Sequence, residues 1–442
     1  MATLSIKFKY AFPLVKAGMI MNAREKGLTI KETESKESFE MMAWVHDLMP
    51  DKRTIVLRDP TGIKEFIVNP SVIKGLTRES LVRAKGYVHN GESIIKDIEV
   101  IIKAPPKLPI DVRKPPADDP ERFSKYSYLV IRSPKYMKVL RIQQWTLYGI
   151  RDFLISKGFI ELLPPIISPC SDPGLRGAKK LRTKLYGKEY ELMSSLIMFK
   201  QAAASALGKI FFVGRNVREE PPEHLSTGRH LCEFTQIDVE LAFAKIDDAM
   251  RLCEDLLKYT IGFVWDKCRS ELEELNPSLE IPRIPFKVLT YDEAFQILKE
   301  MGEKVVYGKE FPQDSETKLA TILGEPIWII KYPIESRGFY YMHDPEDPGK
   351  NRDFNLILPK GYGEIIDGGE REYRYEKIVE RIKLMGEDPD HYGWFLDLAK
   401  IGIAPSCGFG IGLERLTRYI AGLKYVWEAV PFPKVPGVAP TP

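Results

Sequence analysis

Cysteine is scarce in this 442-residue chain: there are five, at positions 170, 232, 253, 268 and 407, with no Cys-x-x-Cys pair and an odd total. That spacing argues against a disulfide framework or a zinc site of paired thiolates, and it suits a reducing compartment, so a cytoplasmic location is expected. Long apolar runs are lacking too. No run, including the one among Lys7, Lys9 and Lys16, approaches the roughly 18 residues that a bilayer-spanning helix needs, and no targeting or membrane segment is expected. Charge of one sign is also missing: 65 Lys+Arg stand against 62 Asp+Glu, for a net +3. Bulk electrostatics therefore gives no argument for a nucleic-acid partner. At 44% hydrophobic and 29% charged, the composition is globular, and the length predicts two or more domains.

Proline, by contrast, is crowded into one stretch, at 105, 106, 109, 115, 116 and 120. It forbids continued helix or central strand and stiffens the chain, so residues 105–124 are predicted to be a linker. Before it, residues 1–36 show no period and form an N-terminal extension. Residues 37–104 carry five β-prone runs, at 41–45, 54–57, 63–68, 84–88 and 98–102, with Asp59-Pro60-Thr61-Gly62 and Asn90-Gly91 as turns. Five strands in so short a segment predict a small barrel. After the linker, Val139, Ile142, Trp145, Gly149 and Phe153 recur at helical spacing, and the helix should end at Gly158. A long helix is predicted over 245–270 and a less regular insertion, without assigned chemistry, over 271–350.

The chain is organised around residues 208–243. An apolar run at 210–213 leads into Arg218 and Glu220; a loop with Pro221, Pro222 and Gly228 follows, and 233–243 then alternates apolar with polar. This reads as strand, loop, strand, holding Arg218, Glu220, Arg229, His230, Glu233 and Phe234 on one platform. Arginine forks suit phosphate oxygens and Phe234 can stack on a base, so the platform suits a polyanion with an aromatic ring. Further on, residues 408–416 place glycines before a helical pattern with Arg415 in its first turn. Between these, residues 361–372 set Glu364 and Asp367 three apart beside glycines, which offers hard oxygen ligands for Mg²⁺, and Arg371 can fork onto a carboxylate. Residues 186–201 read as a strand and then a helix whose apolar stretch holds one cation, Lys200, which needs a partner if it is buried.

Arg-x-Glu, loop, Arg-His-Leu-x-Glu-Phe at 218–234 and Gly-x-Gly-x-Gly-Leu-Glu-Arg at 408–415, preceded by Gly158 to Pro165, resemble in order the three signature motifs of class II aminoacyl-tRNA synthetases of the aspartyl/asparaginyl group. The resemblance implies an α+β fold, an antiparallel sheet flanked by helices, over 125–442, with 37–104 as an OB-type anticodon-binding-like barrel. It implies adenylate formation from ATP with Mg²⁺, transfer to tRNA, and a homodimer through the Pro165 region. Arg218 would hold the α-phosphate, Arg415 the γ-phosphate and Phe234 the adenine, with Glu220, Arg229, His230 and Glu364 completing the ATP site. Glu364 and Asp367 would carry the metal, and Lys200, Ser194, Gln236, Asp238 and Arg371 would surround the amino acid.

Several positions depart from that pattern. Both glutamines of the family's Gln-Ser-x-Gln are absent from Ser194-Ser195-Leu196-Ile197, and Glu370 and Pro405-Ser406 replace usual residues. These departures, with the ending Pro431-Phe432-Pro433-Lys434-Val435-Pro436-Gly437, resemble archaeal asparagine synthetases, which make asparagine from aspartyl adenylate and ammonia. Two cations, Lys200 and Arg371, around the side chain favour aspartate; a counter-anion from Glu370 or Glu372 would restore asparagine. Aspartate or asparagine as substrate, and tRNA or ammonia as acceptor, both remain open at the level of sequence.

Overall fold

A computed structural model describes residues 27–33, 37–172, 177–439 and 442. Most of the predicted N-terminal extension lies outside them. The chain divides into two compact units, Met1–Arg113 and Lys114–Pro442.

The first unit is a closed five-stranded barrel of β1 (Ser38–Met49), β2 (Thr54–Asp59), β3 (Gly62–Val68), β4 (Leu81–His89) and β5 (Glu92–Ile102), in the order β1-β2-β3-β5-β4. Each predicted run lies inside one strand. Phe39, Met41, Ala43 and Val45 alternate into the core, as a strand with one buried face requires. Asn90 and Gly91 both adopt positive φ, 51° and 82°, the backbone of a two-residue hairpin turn. At the other turn, Asp59 Oδ1 accepts from Thr61 N (2.7 Å) and Gly62 N (3.2 Å).

In the second unit, α1 (Pro134–Ser156) buries Val139, Ile142, Gly149 and Phe153 on one stripe. It packs against α3 (Ile246–Lys267), where Gly149 leaves room for the Phe263 ring, and the chain turns at Gly158 with φ +82°. An eight-stranded sheet follows, in the order β9-β10-β11-β12-β13-β8-β7-β6. Its strands are β6 (Ile160–Leu162), β7 (Lys209–Val217), β8 (Glu233–Ala242), β9 (Lys287–Thr290), β10 (Ile327–Ile330), β11 (Asp353–Leu358), β12 (Gly363–Glu370) and β13 (Ser406–Gly412). Pairing is antiparallel except at the two edges, where β6 runs parallel to β7 and β9 to β10. The helix α2 (Ile197–Leu207) packs on β7 and β8.

Two sequence expectations need correction. The insertion over 271–350 is ordered: β9 and β10 extend the sheet, and α4 (Tyr291–Glu300) and α5 (Gln313–Leu323) cover it. Strands of four residues are too short to show a period. The start of α4 was nevertheless legible, because Thr290 and Glu293 form a capping box, with Thr290 Oγ1 accepting from Glu293 N and Glu293 Oε2 accepting from Thr290 N. Likewise, helix Pro120–Lys125, capped by the Asp119 side chain, begins inside the proline-rich stretch, where Pro120 sits in the first helical turn, as proline readily does.

Candidate active site

The strands β7, β8, β13 and β12 line a cleft with a cavity of about 460 Å³. On β13, Gly410 stands opposite Asp238 and Gly408 opposite Glu240. A Cβ on Gly410 would lie 1.9 Å from Gln236 Nε2, and one on Gly408 would lie 2.0 Å from Glu240 Oε2. These glycines therefore lie within a strand and clear space for the polar side chains of β8; the predicted helix, α6 (Leu413–Ile420), starts directly after and carries Arg415.

One wall is cationic. Arg218 donates Nε and Nη2 to the Ser194 carbonyl (3.0 and 2.9 Å) and lies over the Phe234 ring, 5.1 Å from its centroid. Arg415 Nη1 donates to Glu364 Oε1 at 3.1 Å and its Nε to the Arg229 carbonyl at 3.4 Å. Arg229 is 5% exposed and donates to Thr317 Oγ1 (3.3 Å) and the Glu364 carbonyl (3.4 Å). Its Nε meets no acceptor, and no carboxylate lies within ion-pair distance of it among the described residues. Burial, and then the charge of Arg415, push the Arg229 guanidinium down to about 10. Gly363, at φ +69°, is required here, since its Cβ would meet Arg229 at 2.3 Å. Burial and Arg415 also push His230 down to about 2, so its ring is neutral. An arginine buried without a carboxylate is costly on its own, and an anion at this wall relieves the cost.

Facing it, β12 carries Glu364 and Asp367. The register shift between Leu356 and Ile357 adds one residue to β12, which returns both carboxylates to the cleft face despite their odd spacing. Glu364 Oε2 accepts from Asn355 Nδ2 at 3.1 Å. Asp367 accepts from Arg337 Nη1 at 2.9 Å and from the Tyr341 hydroxyl. Arg337 also binds Asp353 (2.6 Å) and Glu310 (2.9 Å) and lies 3.9 Å from the Tyr332 ring centroid. Sequence reasoning missed Arg337 and Tyr341 because they stand in the insertion and carry no motif.

At the end of the cleft lies a buried charge quartet. Lys200 is 2% exposed, so it does not reach solvent. Its Nζ contacts Asp238 Oδ1 (3.3 Å), Glu240 Oε2 (3.5 Å) and the Phe409 carbonyl (3.1 Å). Arg371 donates Nε to Glu240 Oε1 (3.1 Å) and Nη2 to the Gly408 carbonyl (2.8 Å). Burial opposes the Arg371 charge, but Glu240 offsets this and the guanidinium stays charged. Two atoms here have no partner among the described residues: the donor Arg371 Nη1 and the acceptor Asp238 Oδ2.

The counter-anions are therefore Asp238 and Glu240. Glu370 pairs with Lys245 and Arg352, and Glu372 with Arg374, so neither candidate weighed from sequence serves. Glu240 was missed, although Asp238-x-Glu240 on an alternating strand puts both acids on one face. Ser194 is also corrected: its hydroxyl bonds Ser171 Oγ at 2.9 Å, only its carbonyl meets Arg218, and Ser195 lines the cavity instead. Gln236 lines the cleft and accepts from Asn216 at 2.9 Å.

Removing one member of such a buried quartet strands its partners. Lys200→Leu is expected to cost about 3–5 kcal/mol in denaturant unfolding. An unchanged midpoint would mean that the two carboxylates are held by other groups.

The chain matches the family described as tRNA synthetases class II (D, K and N) over residues 119–436. It is 33% identical to an asparagine–tRNA ligase of Pyrococcus abyssi, covering 92% of this chain and 97% of that one. It is 32% identical to the asparagine–tRNA ligase of Pyrococcus furiosus, over 92% and 96% of the two chains. Among solved structures, asparaginyl-tRNA synthetase from Pyrococcus horikoshii complexed with asparaginyl-adenylate is similar with a TM-score of 0.84, at 29% identity, over 95% of this chain and 100% of that one.

Proposed function

The chain belongs to the class II tRNA synthetases and is an aminoacyl-tRNA ligase that uses ATP, and on that premise we propose that its amino acid is asparagine. The carrying observation is the pair of unpartnered atoms beside the quartet: Arg371 Nη1 offers a hydrogen and Asp238 Oδ2 offers a lone pair. A carboxamide supplies the complement of each, an oxygen for Nη1 and an N–H for Oδ2. Lys200 and Arg371 against Asp238 and Glu240 sum to zero charge, so the pocket has no surplus cation for an aspartate carboxylate. The charge arithmetic that favoured aspartate from sequence omitted Glu240 and set Asp238 among the ligands without counting its charge.

In the reaction, the asparagine α-carboxylate attacks the ATP α-phosphorus and pyrophosphate leaves. A terminal tRNA hydroxyl then attacks the adenylate carbonyl and AMP leaves. Arg218 lies where a fork to the α-phosphate and a cover for the adenine on Phe234 meet, and Arg415 and Arg229 supply the far anion wall. Their work is positioning and charge stabilisation, with no protein nucleophile. The oxygens of Glu364 and Asp367, brought to one face by the bulge, form a hard donor set that fits Mg²⁺ carried on the triphosphate. When bound there, the ion supplies charge neutralisation at the phosphates.

A homodimer is part of this reading. Leu163 is 93% exposed and Ile166 70%, on either side of Pro164-Pro165, a surface that a second copy would cover. Light scattering at micromolar concentration is expected to give the mass of two chains, and Leu163→Glu to give one. A wild-type monomer refutes it. The substrate is tested with purified protein, ATP, Mg²⁺ and labelled asparagine or aspartate, adding tRNA or ammonium. Label from asparagine in acid-precipitable tRNA is expected; free asparagine made from aspartate and ammonium would overturn the proposal.

A further inference from the structure

One cluster beside the cleft is not used by the reaction above. His224, in the loop joining β7 to β8, lies with its ring centroid 4.5 Å from that of His230 and its Nδ1 2.8 Å from Glu220 Oε2. One ligand-type atom from each of the three residues falls within 4.8 Å of the others, and Glu220 and His230 are buried. We infer that Glu220, His224 and His230 form a binding site for a borderline-soft divalent cation of the Zn²⁺ class.

The hydrogen bonds fix both rings in the form that a metal needs. Thr227 Oγ1 donates to the His224 carbonyl at 2.7 Å, so its lone pair must accept from His230 Nδ1–H, 2.8 Å away. The carboxylate oxygen of Glu220 can only accept, so His224 Nδ1 carries its proton too. Each imidazole thus keeps Nε2 as a lone pair, with its other nitrogen anchored by an oxygen, the arrangement that orients metal-binding histidines. His230 Nε2 meets Gln313 Nε2 at 2.9 Å, while Gln313 Oε1 is buried with no partner among the described residues. Rotation of that amide presents Oε1 as a fourth ligand. Two imidazoles, a carboxylate and an oxygen suit tetrahedral Zn²⁺, whose bonds of about 2.0–2.2 Å place ligand atoms roughly 3.4 Å apart. Mg²⁺ prefers an all-oxygen octahedron and is selected against.

An opposing term sets the strength. Arg415 and Arg229 both act on His230 with positive charge, so the site binds more weakly than a structural zinc site. Glu220 and His230 also line the cleft that holds ATP, so ion and nucleotide compete.

The test titrates metal-stripped full-length protein with Zn²⁺ and Co²⁺ in excess Mg²⁺, with no ATP, amino acid or tRNA, so that it is independent of the substrate assignment. Uptake of one Zn²⁺ per chain is expected, with a visible Co²⁺ absorption band that His224→Ala removes. Thr227→Val, which keeps all three ligands, should weaken binding about 10–100-fold, and saturating ATP should weaken it in the wild type. Circular dichroism checks that both variants fold. No stoichiometric uptake by the wild type, or equal affinity in wild type and Thr227→Val, overturns the inference.

Discussion

Arg218→Ala and Arg415→Ala are each expected to lower ATP–pyrophosphate exchange by about 10²–10³-fold, the scale for losing one pre-positioned charge donor at a reacting centre. The two should leave stability nearly intact. Arg218 gives up contacts to one carbonyl and one ring face, and Arg415 a partly exposed ion pair with Glu364, worth about 1 kcal/mol or less. Loss of activity without loss of fold separates a phosphate ligand from a packing residue. Lysine at either position keeps the charge but not the planar fork, and should recover only part of the rate. Exchange retained in Arg218→Ala or in Arg415→Ala removes that residue from the reaction.

What was legible in the sequence follows from how far each signal reaches along the chain. The barrel strands announce themselves by alternation and by turn chemistry at Asp59 and Asn90, all within a few residues. Lys200 was flagged because a lone cation in an apolar helix demands a partner, yet that partner lies on another strand, and only the register of β8 against β13 shows that Asp238 and Glu240 provide it. Arg337 reads as one more charge in a charged insertion; its role depends on β10 pairing with β11, which no local period reveals. The spacing of Glu364 and Asp367 would put them on opposite faces of a regular strand. The bulge that reunites them is a property of strand pairing. Long-range register, rather than composition, is where the sequence stopped being informative.

Asp238→Asn carries the largest expected change in substrate choice. The exchange is nearly isosteric, so packing is kept, while the quartet moves from zero to one net positive charge. The side-chain amide it introduces can still accept through its oxygen, but it no longer offers a charged acceptor to the substrate amide. A hydrogen bond to a charged group is worth about 1.5–3 kcal/mol, or roughly 10- to 150-fold. Exchange driven by asparagine should fall by that order, and aspartate, whose carboxylate restores neutrality beside Lys200 and Arg371, should gain relative to it. The same atom predicts a pH dependence. Burial raises the Asp238 pKa above its ordinary value, against the pull of Lys200. As pH falls through this raised value, Oδ2 takes a proton and stops accepting, so the wild-type preference for asparagine should fade at a pH above that where ordinary carboxylates titrate. The Asp238→Asn variant has no such proton to take, and its asparagine-to-aspartate ratio should be flat over that range. A ratio that is unchanged by the substitution, or that falls with pH equally in both proteins, would place amide recognition on a group other than Asp238.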